Sequence, residues 1–449
     1  MSGQVKEASA QHQVSRHSCD SEDSVEGRVC PQGYKQTEVG VIPEDWDVID
    51  LESITTKVGS GKTPKGGSSV YISHGRPLVR SQNVGWGKLL LNDVAYISEE
   101  IHETFLGSEL REGDVLLNIT GASIGRSSVA SDVLSGGNVN QHVCIIRVDT
   151  NKVDSRVICS LILSSEGQAQ IDSFQAGGNR EGLNFTQVKA LKFALSRSKK
   201  EQTAIANALS DVDALITALE KLIAKKRALK TAAMQQLLTG KKRLSGFEGD
   251  WSIISMNTDA SLKARIGWQA LTTSEYLDQG DFYLVTGTDF KGGRVDWSTC
   301  HYVDEWRYSQ DRNIQLQNGD VLLTKDGTIG KVGYVDKLDA PATLNSGVFV
   351  IRPVKGSFHP LFLFYILSSR IFDNFLNRIT AGSTITHLYQ KDFVTFEFFA
   401  PSKNEQEAIS EILSTMDDEI ELLQQRLNKT QQLKQGMMQE LLTGSTRLI

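Results

Sequence analysis

The 449-residue chain carries a formal net charge of −6, with 39% hydrophobic and 23% charged residues, the balance of an ordinary soluble globular protein. Single cores rarely grow beyond about 250 to 300 residues, so two or more domains are expected, and no apolar run approaches the roughly 18 to 20 residues of a membrane span. Five cysteines without a C-x-x-C spacing argue against a disulfide framework or a structural zinc site and fit a reducing cytoplasm, while an acidic chain that binds DNA must do so locally or with a partner.

Residues 1–33 are polar throughout and lack the apolar stretch of a secretory signal, so they read as a mobile N-terminal tail. Val58–Gly67 follows, with the sequence VGSGKTPKGG. Gly-Ser-Gly-Lys-Thr ends many phosphate-binding loops, but G-x-x-x-x-G-K-[ST] requires a glycine where this chain has Thr56. Pro64 then stands where the loop's helix should open. The expectation is a glycine-rich surface loop, with an ATP-binding site at Lys62 as the alternative. Beyond it, short β-branched runs between Gly and Asn turns predict a mixed sheet with a few helices, such as Val157–Gln170 and, later in the chain, Leu361–Phe375.

Two long segments are helical by pattern. In Glu201–Leu244 the residues Ile205, Leu209, Val212, Ile216, Leu219 and Ile223 step by fours and threes, and in Glu405–Leu448 the residues Ile409, Leu413, Met416, Ile420, Leu423 and Leu427 repeat those steps. This is the seam of helices that wind together. Neither segment contains proline, each reaches a glycine suited to a C-terminal cap, Gly240 or Gly444, and residues 201–239 would span about 58 Å as one helix. The two segments share about 20 identities in 44 ungapped columns. Acids precede bases in both, so antiparallel pairing sets each acidic half against a basic half. The net charges are also complementary, +4 for 201–243 (eight bases, four acids) and −4 for 405–449 (four bases, eight acids).

The segments before the helices repeat more faintly. GDVLL occurs at Gly113–Leu117 and Gly319–Leu323, followed by the related turns NITGASIGR and TKDGTIGK. NQHVCIIRV at Asn140–Val148 answers NSGVFVIRPV at Asn345–Val354, AGGNREGL at Ala176–Leu183 answers AGSTITHL at Ala381–Leu388, and EDW at Glu44–Trp46 answers GDW at Gly249–Trp251. The expected order is tail 1–33, globule 34–200, helix 201–244, globule 245–404, helix 405–449. Two related globules on an antiparallel helix pair have a pseudo-twofold axis, which suits a duplex read at two separated places.

This layout, the YKQTEVGVIPEDW entry at Tyr34–Trp46, the paired GDVLL turns and the LLTG helix ends closely resemble the specificity subunit of type I restriction-modification systems. The resemblance covers everything after about residue 33. It implies an α+β fold: two similar mixed-sheet target-recognition domains separated by two long antiparallel coiled-coil helices. It implies that each domain reads one half of a split, asymmetric DNA site, that the helices set the spacing, and that they dock two methyltransferase subunits, to which restriction and translocase subunits are added. S-adenosylmethionine, ATP and Mg would then belong to those partners, in the cytoplasm. The sequence agrees with a non-catalytic role: no two prolines are adjacent, so the [DNS]-P-P-[YF] clamp of an adenine methyltransferase is missing, and no complete Walker motif or G-x-S-x-G occurs.

Loops matched between the globules but differing in chemistry are the expected DNA contacts. VRSQNV at Val79–Val84 offers Arg80 and Asn83 for guanine and adenine edges, with Ser81 as a further DNA contact, against Thr286 and Thr288 of VTGTDF at Val285–Phe290. Ser123 and Arg126 stand against Lys325, Thr328 and Lys331, whose basic members suit phosphates. Asn179 and Arg180 stand against Thr384 and His387. Aligned from Trp46 and Trp251, Lys62 and Thr63 fall opposite Arg265 and Trp268, so GSGKTP reads as a variable DNA-facing loop rather than a phosphate cradle. Trp46, Trp251, Tyr96 and Tyr302 are expected in cores. The competing interpretation is a coiled-coil adaptor that never touches bases.

Overall fold

In a computed structural model of the chain, the described residues are 30–175, 182–265, 271–380 and 387–448. Contacts divide it into two compact units, Met1–Asp213 with Gln432–Ile449, and Ala214–Gln431.

The first unit has strands β1 (Tyr34–Thr37), β2 (Gly40–Pro43), β3 (Trp46–Asp50), β4 (Thr55–Ser60), β5 (Arg76–Val79), β6 (Ala95–Ile97), β7 (Val115–Asn118), β8 (Ser127–Val129), β9 (Asn138–Val139), β10 (Val143–Val148) and β11 (Lys192–Ser196). They form a β1-β2 hairpin, a β3-β11 ribbon, a four-stranded sheet β4-β10-β7-β8 and a three-stranded sheet β6-β5-β9. The four-stranded sheet is buried on both faces, so its middle strands are continuous apolar runs. Period-two alternation sends Val115, Leu117, Cys144 and Ile146 to the helix-covered core, and Leu116, Val143 and Ile145 to the layer under the smaller sheet.

The second unit repeats this plan with β12 (Ser252–Ser255), β13 (Ala260–Lys263), β14 (Phe282–Val285), β15 (Phe290–Lys291), β16 (Arg294–Val295), β17 (His301–Val303), β18 (Val321–Thr324), β19 (Val332–Tyr334), β20 (Ala342–Leu344), β21 (Val348–Pro353) and β22 (Glu397–Ala400). Its sheets are β12-β22, β13-β21-β18-β19 extended by β16-β15, and β17-β14-β20. In both units the small sheet contains one parallel pair, β5-β9 or β14-β20.

The GDVLL repeat has a structural reason. Asp114 accepts hydrogen bonds from Arg147 Nε and Nη2, both at 2.7 Å, and Asp320 accepts the same pair from Arg352 at 2.6 Å. Each aspartate is 1% exposed, so removing it leaves a guanidinium on an inner strand with backbone carbonyls alone as partners. Asp114→Ala is expected to cost about 2–4 kcal/mol, at the low end of a broken buried pair because the arginine retains some solvent. Calorimetry should read this as a lowered first-unit transition. The surface pair Arg76–Glu99, exposed by 38% and 58%, is screened by solvent and should contribute far less.

The helices Val157–Gln170 and Leu361–Phe375 of the sequence prediction are each two shorter helices, Ser155–Leu163 with Ser165–Ser173 and Pro360–Leu367 with Arg370–Thr380. Ser164 causes the first break: it is extended, ends one helix, and accepts the Gly167 amide with its side chain to start the next. The two long helices run Lys199–Leu237 and Lys403–Leu442, with positive φ at Gly240 and Gly444. They lie antiparallel within each unit. In the first, Lys434 pairs with Asp213 at 2.7 Å; in the second, Lys226 pairs with Glu419 and Lys230 with Asp417, each at 2.5 Å.

The expected seam is only partly a seam. Ile216, Leu219 and Ile223 pack with Leu423 and Leu427 as a small helix–helix cluster. Ile205 and Leu209 instead enter the first unit's sheet core, and Ile409, Leu413 and Met416 join that of the second. Val212 and Ile420 are half-buried.

Each helix start carries a glutamate held by an arginine from beyond the other helix's end. Arg447 donates to Glu201 at 2.6 and 2.9 Å and to Asp45 at 2.9 and 2.8 Å, while Arg243 donates to Glu405 at 2.7 and 2.5 Å. Trp46, 2% exposed, donates its Nε1 to Glu201 at 3.2 Å. Burial pushes the Glu201 carboxyl up, but hydrogen bonds from Arg447, Ser196 and Trp46 outweigh it and hold the pKa below the usual carboxylate range. A lowered folded-state value stabilises the fold fully above the unfolded value, about 4.3, and that stability is lost as pH falls through the folded value. Below about pH 5, urea midpoints of Glu201→Gln should therefore fall less steeply than those of the parent.

Candidate nucleic-acid interface

In the first unit, backbone hydrogen bonds bring four loops to one end of the sheets. Gly61 N donates to Asn140 O at 3.2 Å, Asn140 N to Val79 O at 3.0 Å, and Ile119 N to His142 O at 3.0 Å. The loops after β4, β5 and β7 thus meet the turn before β10. In the second unit three of the equivalent segments meet in the same way: Asn345 N donates to Val285 O and Lys325 N to Gly347 O, both at 2.9 Å.

GSGKT has the wrong geometry for a nucleotide loop. Gly61 continues β4, and its amide is spent on Asn140 rather than left to cradle a phosphate. A Cβ there would lie 1.8 Å from the Val139 carbonyl oxygen, so the glycine serves a close backbone crossing. Lys62 and Thr63 are exposed, with the Lys62 ammonium 4.7 Å from the centroid of the Phe105 ring.

The remaining expected contacts divide sharply. Asn83 is a correction: it is 1% exposed, its Oδ1 accepts Arg80 N at 3.0 Å, and its Nδ2 donates to Leu90 O and Asp93 O. Its partner in the repeat is Asp289, equally buried and capping the same 3₁₀ turn. Arg265 is a second correction. At 2% exposure it donates to Leu344 O at 2.8 Å, Gln310 Oε1 at 3.2 Å and Thr343 Oγ1 at 3.1 Å, and burial pushes its pKa down. It braces the turn from behind and has no free face for DNA. Arg80 is largely occupied by the Asp93 carbonyl and carboxylate, at 2.8 and 3.2 Å, and Lys331 donates to Gly287 O at 2.9 Å. Thr286 caps its turn through Asp289, while Thr288 and Thr328 are exposed.

Ser81, Ser123, Arg126 and Lys325 are half-buried at the loop end, and the Arg126 guanidinium makes no hydrogen bond among the described residues. His387 bonds to Asp326 and lies against Tyr389, ring centroids 4.5 Å apart. Asn179, Arg180, Trp268 and Thr384 lie outside the described residues. Outside the expected contacts, Thr120, Gln141 and His142 join Thr63 in one hydrogen-bonded chain, and Asn345 donates to Tyr276 Oη at 2.6 Å. Their signal was present: NQH and NSG occupy matched positions with different chemistry.

Among the described residues, no group of three or more His, Cys, Asp or Glu could hold a metal ion, and no helix is long and apolar enough to cross a membrane. Two copies of one scaffold, each ending in loops of different chemistry, define a paired recognition module. The sequence pattern of the type I restriction modification DNA specificity domain matches residues 43–230 and 267–432, and the chain belongs to that family as a specificity subunit with two target-recognition domains. It is 25% identical over 436 residues to a protein described as the type I restriction enzyme MjaX specificity subunit of Methanocaldococcus jannaschii, covering 93% of this chain and 97% of that one. The MjaVIII specificity subunit of the same organism is 25% identical over 265 residues, covering 56% of this chain and 61% of the relative. The fold is similar to the crystal structure of the S subunit of a type I restriction-modification system from M. genitalium, with TM-score 0.59, 15% identity, and coverage of 88% of this chain and 96% of that chain.

Proposed function

We propose that each domain presents its loop end to one half of a bipartite, asymmetric DNA site, and that the helix pair sets the distance between the halves. One observation carries this reading. The same loops converge in both units, yet Thr120, Gln141 and His142 in the first are matched by Asp326, Ser346 and Gly347 in the second. Position is inherited from the scaffold, and base choice varies with the side chain.

The helices dock two methyltransferase subunits, which carry S-adenosylmethionine and supply much of the phosphate contact that a chain of net charge −6 lacks. Restriction and translocase subunits bring ATP and Mg, and the complex works in the cytoplasm. This chain contributes recognition rather than chemistry.

The test is reconstitution with the modification subunits. The complex should retain duplexes carrying its site against a large excess of unrelated duplex, by at least about a thousandfold. Equal retention of all sequences would refute base reading by this chain.

A further inference from the structure

In the first domain Gln141 is exposed at the meeting point of three loops, and its amide is held on both sides. Thr63 Oγ1 lies 2.5 Å from Oε1, His142 Nε2 lies 3.0 Å from Nε2, and His142 Nδ1 lies 2.5 Å from Thr120 Oγ1. Two proton arrangements satisfy this chain. In one, Thr63 donates to the amide oxygen, the amide nitrogen donates to His142, and His142 donates to Thr120. In the other the amide is flipped and every bond reverses.

Both arrangements use one hydrogen of the amide nitrogen and one lone pair of its oxygen. One donor and one acceptor therefore remain, on adjacent atoms of a planar amide whose orientation is held by its neighbours. In the major groove adenine presents the complement, the N6 donor beside the N7 acceptor. Guanine shows two acceptors, cytosine a donor and thymine an acceptor beside a methyl group. Anchoring also removes much of the rotamer entropy a free glutamine would lose on contact.

We infer that Gln141 reads an adenine in the half-site of the first domain, with Thr63, His142 and Thr120 as positioning residues. This rests on that domain being a DNA reader. The second domain has Ser346 at this position, which cannot form such a bidentate edge, so the assignment is specific to one half.

The experiment is adenine-methylome sequencing of cells expressing the chain with its own modification subunits. Three versions are compared: parent, Gln141→Ala and Gln141→Glu. The parent should show an invariant adenine at one position of one half-site. Gln141→Ala should lower the preference for adenine there by about tenfold or more, and Gln141→Glu, which offers only acceptors, should move it toward cytosine. The other half-site should be unchanged in all three, which also shows that the variants fold and assemble. A parent motif retained unchanged by both variants overturns the assignment while leaving the two-reader proposal standing. A parent that gives no split motif removes both.

Discussion

Exchanging residues 245–404 for the equivalent domain of another specificity subunit should change one half of the methylated sequence and leave the other half untouched. The second unit has its own sheets and its own loop end, so base contacts should travel with it. Each altered base pair costs about 1–3 kcal/mol, and three together should discriminate old from new half-sites by about a hundredfold or more. The exchange has one structural requirement. Ile409 and Leu413 lie outside the exchanged segment but inside this core, as do Leu237 and Leu238, so the donor domain must bring a matching apolar face. Arg243 and Glu405 lie just outside the boundaries and keep the helix ends tied. Methylome sequencing reads the outcome, and a change in both halves would sink the two-reader proposal.

Inserting seven residues into the middle of both long helices should lengthen the spacer and leave both half-sites alone. Seven residues preserve the apolar seam and add about 10.5 Å, the rise of about three base pairs. Placing the insertions beside Ile223 and Leu423 keeps Lys226 with Glu419 and Lys230 with Asp417 on facing turns. An unchanged spacer would show that the helices are not a ruler.

Most of the architecture was legible in the sequence because repetition carries information that no local propensity does. The matched GDVLL and NQH/NSG segments located equivalent strands, and the order of acids and bases gave the antiparallel sense that Lys434–Asp213 and Lys230–Asp417 display. The same periodicity could not say what the apolar stripe faces. Ile205 and Ile409 follow the helical steps as faithfully as Leu219, yet they pack on sheets, because a sheet and a helix demand the same stripe from a helix laid against them.

The site was less legible because polar loop residues have two uses with identical sequence signatures. Asn83 and Arg265 looked like DNA contacts and are spent inside the fold, one capping a turn and the other bracing the backbone. Gln141 stands out only by comparison with its partner Ser346, which differs from it in the way a recognition position should.

The most direct measurement of the central claim is the adenine methylome of cells that express this chain with its modification subunits, compared with cells lacking the chain. Two-domain reading requires one split motif, with two unrelated halves at a fixed separation, that disappears when the chain is removed. A continuous or palindromic motif, or methylation that persists without the chain, would contradict it.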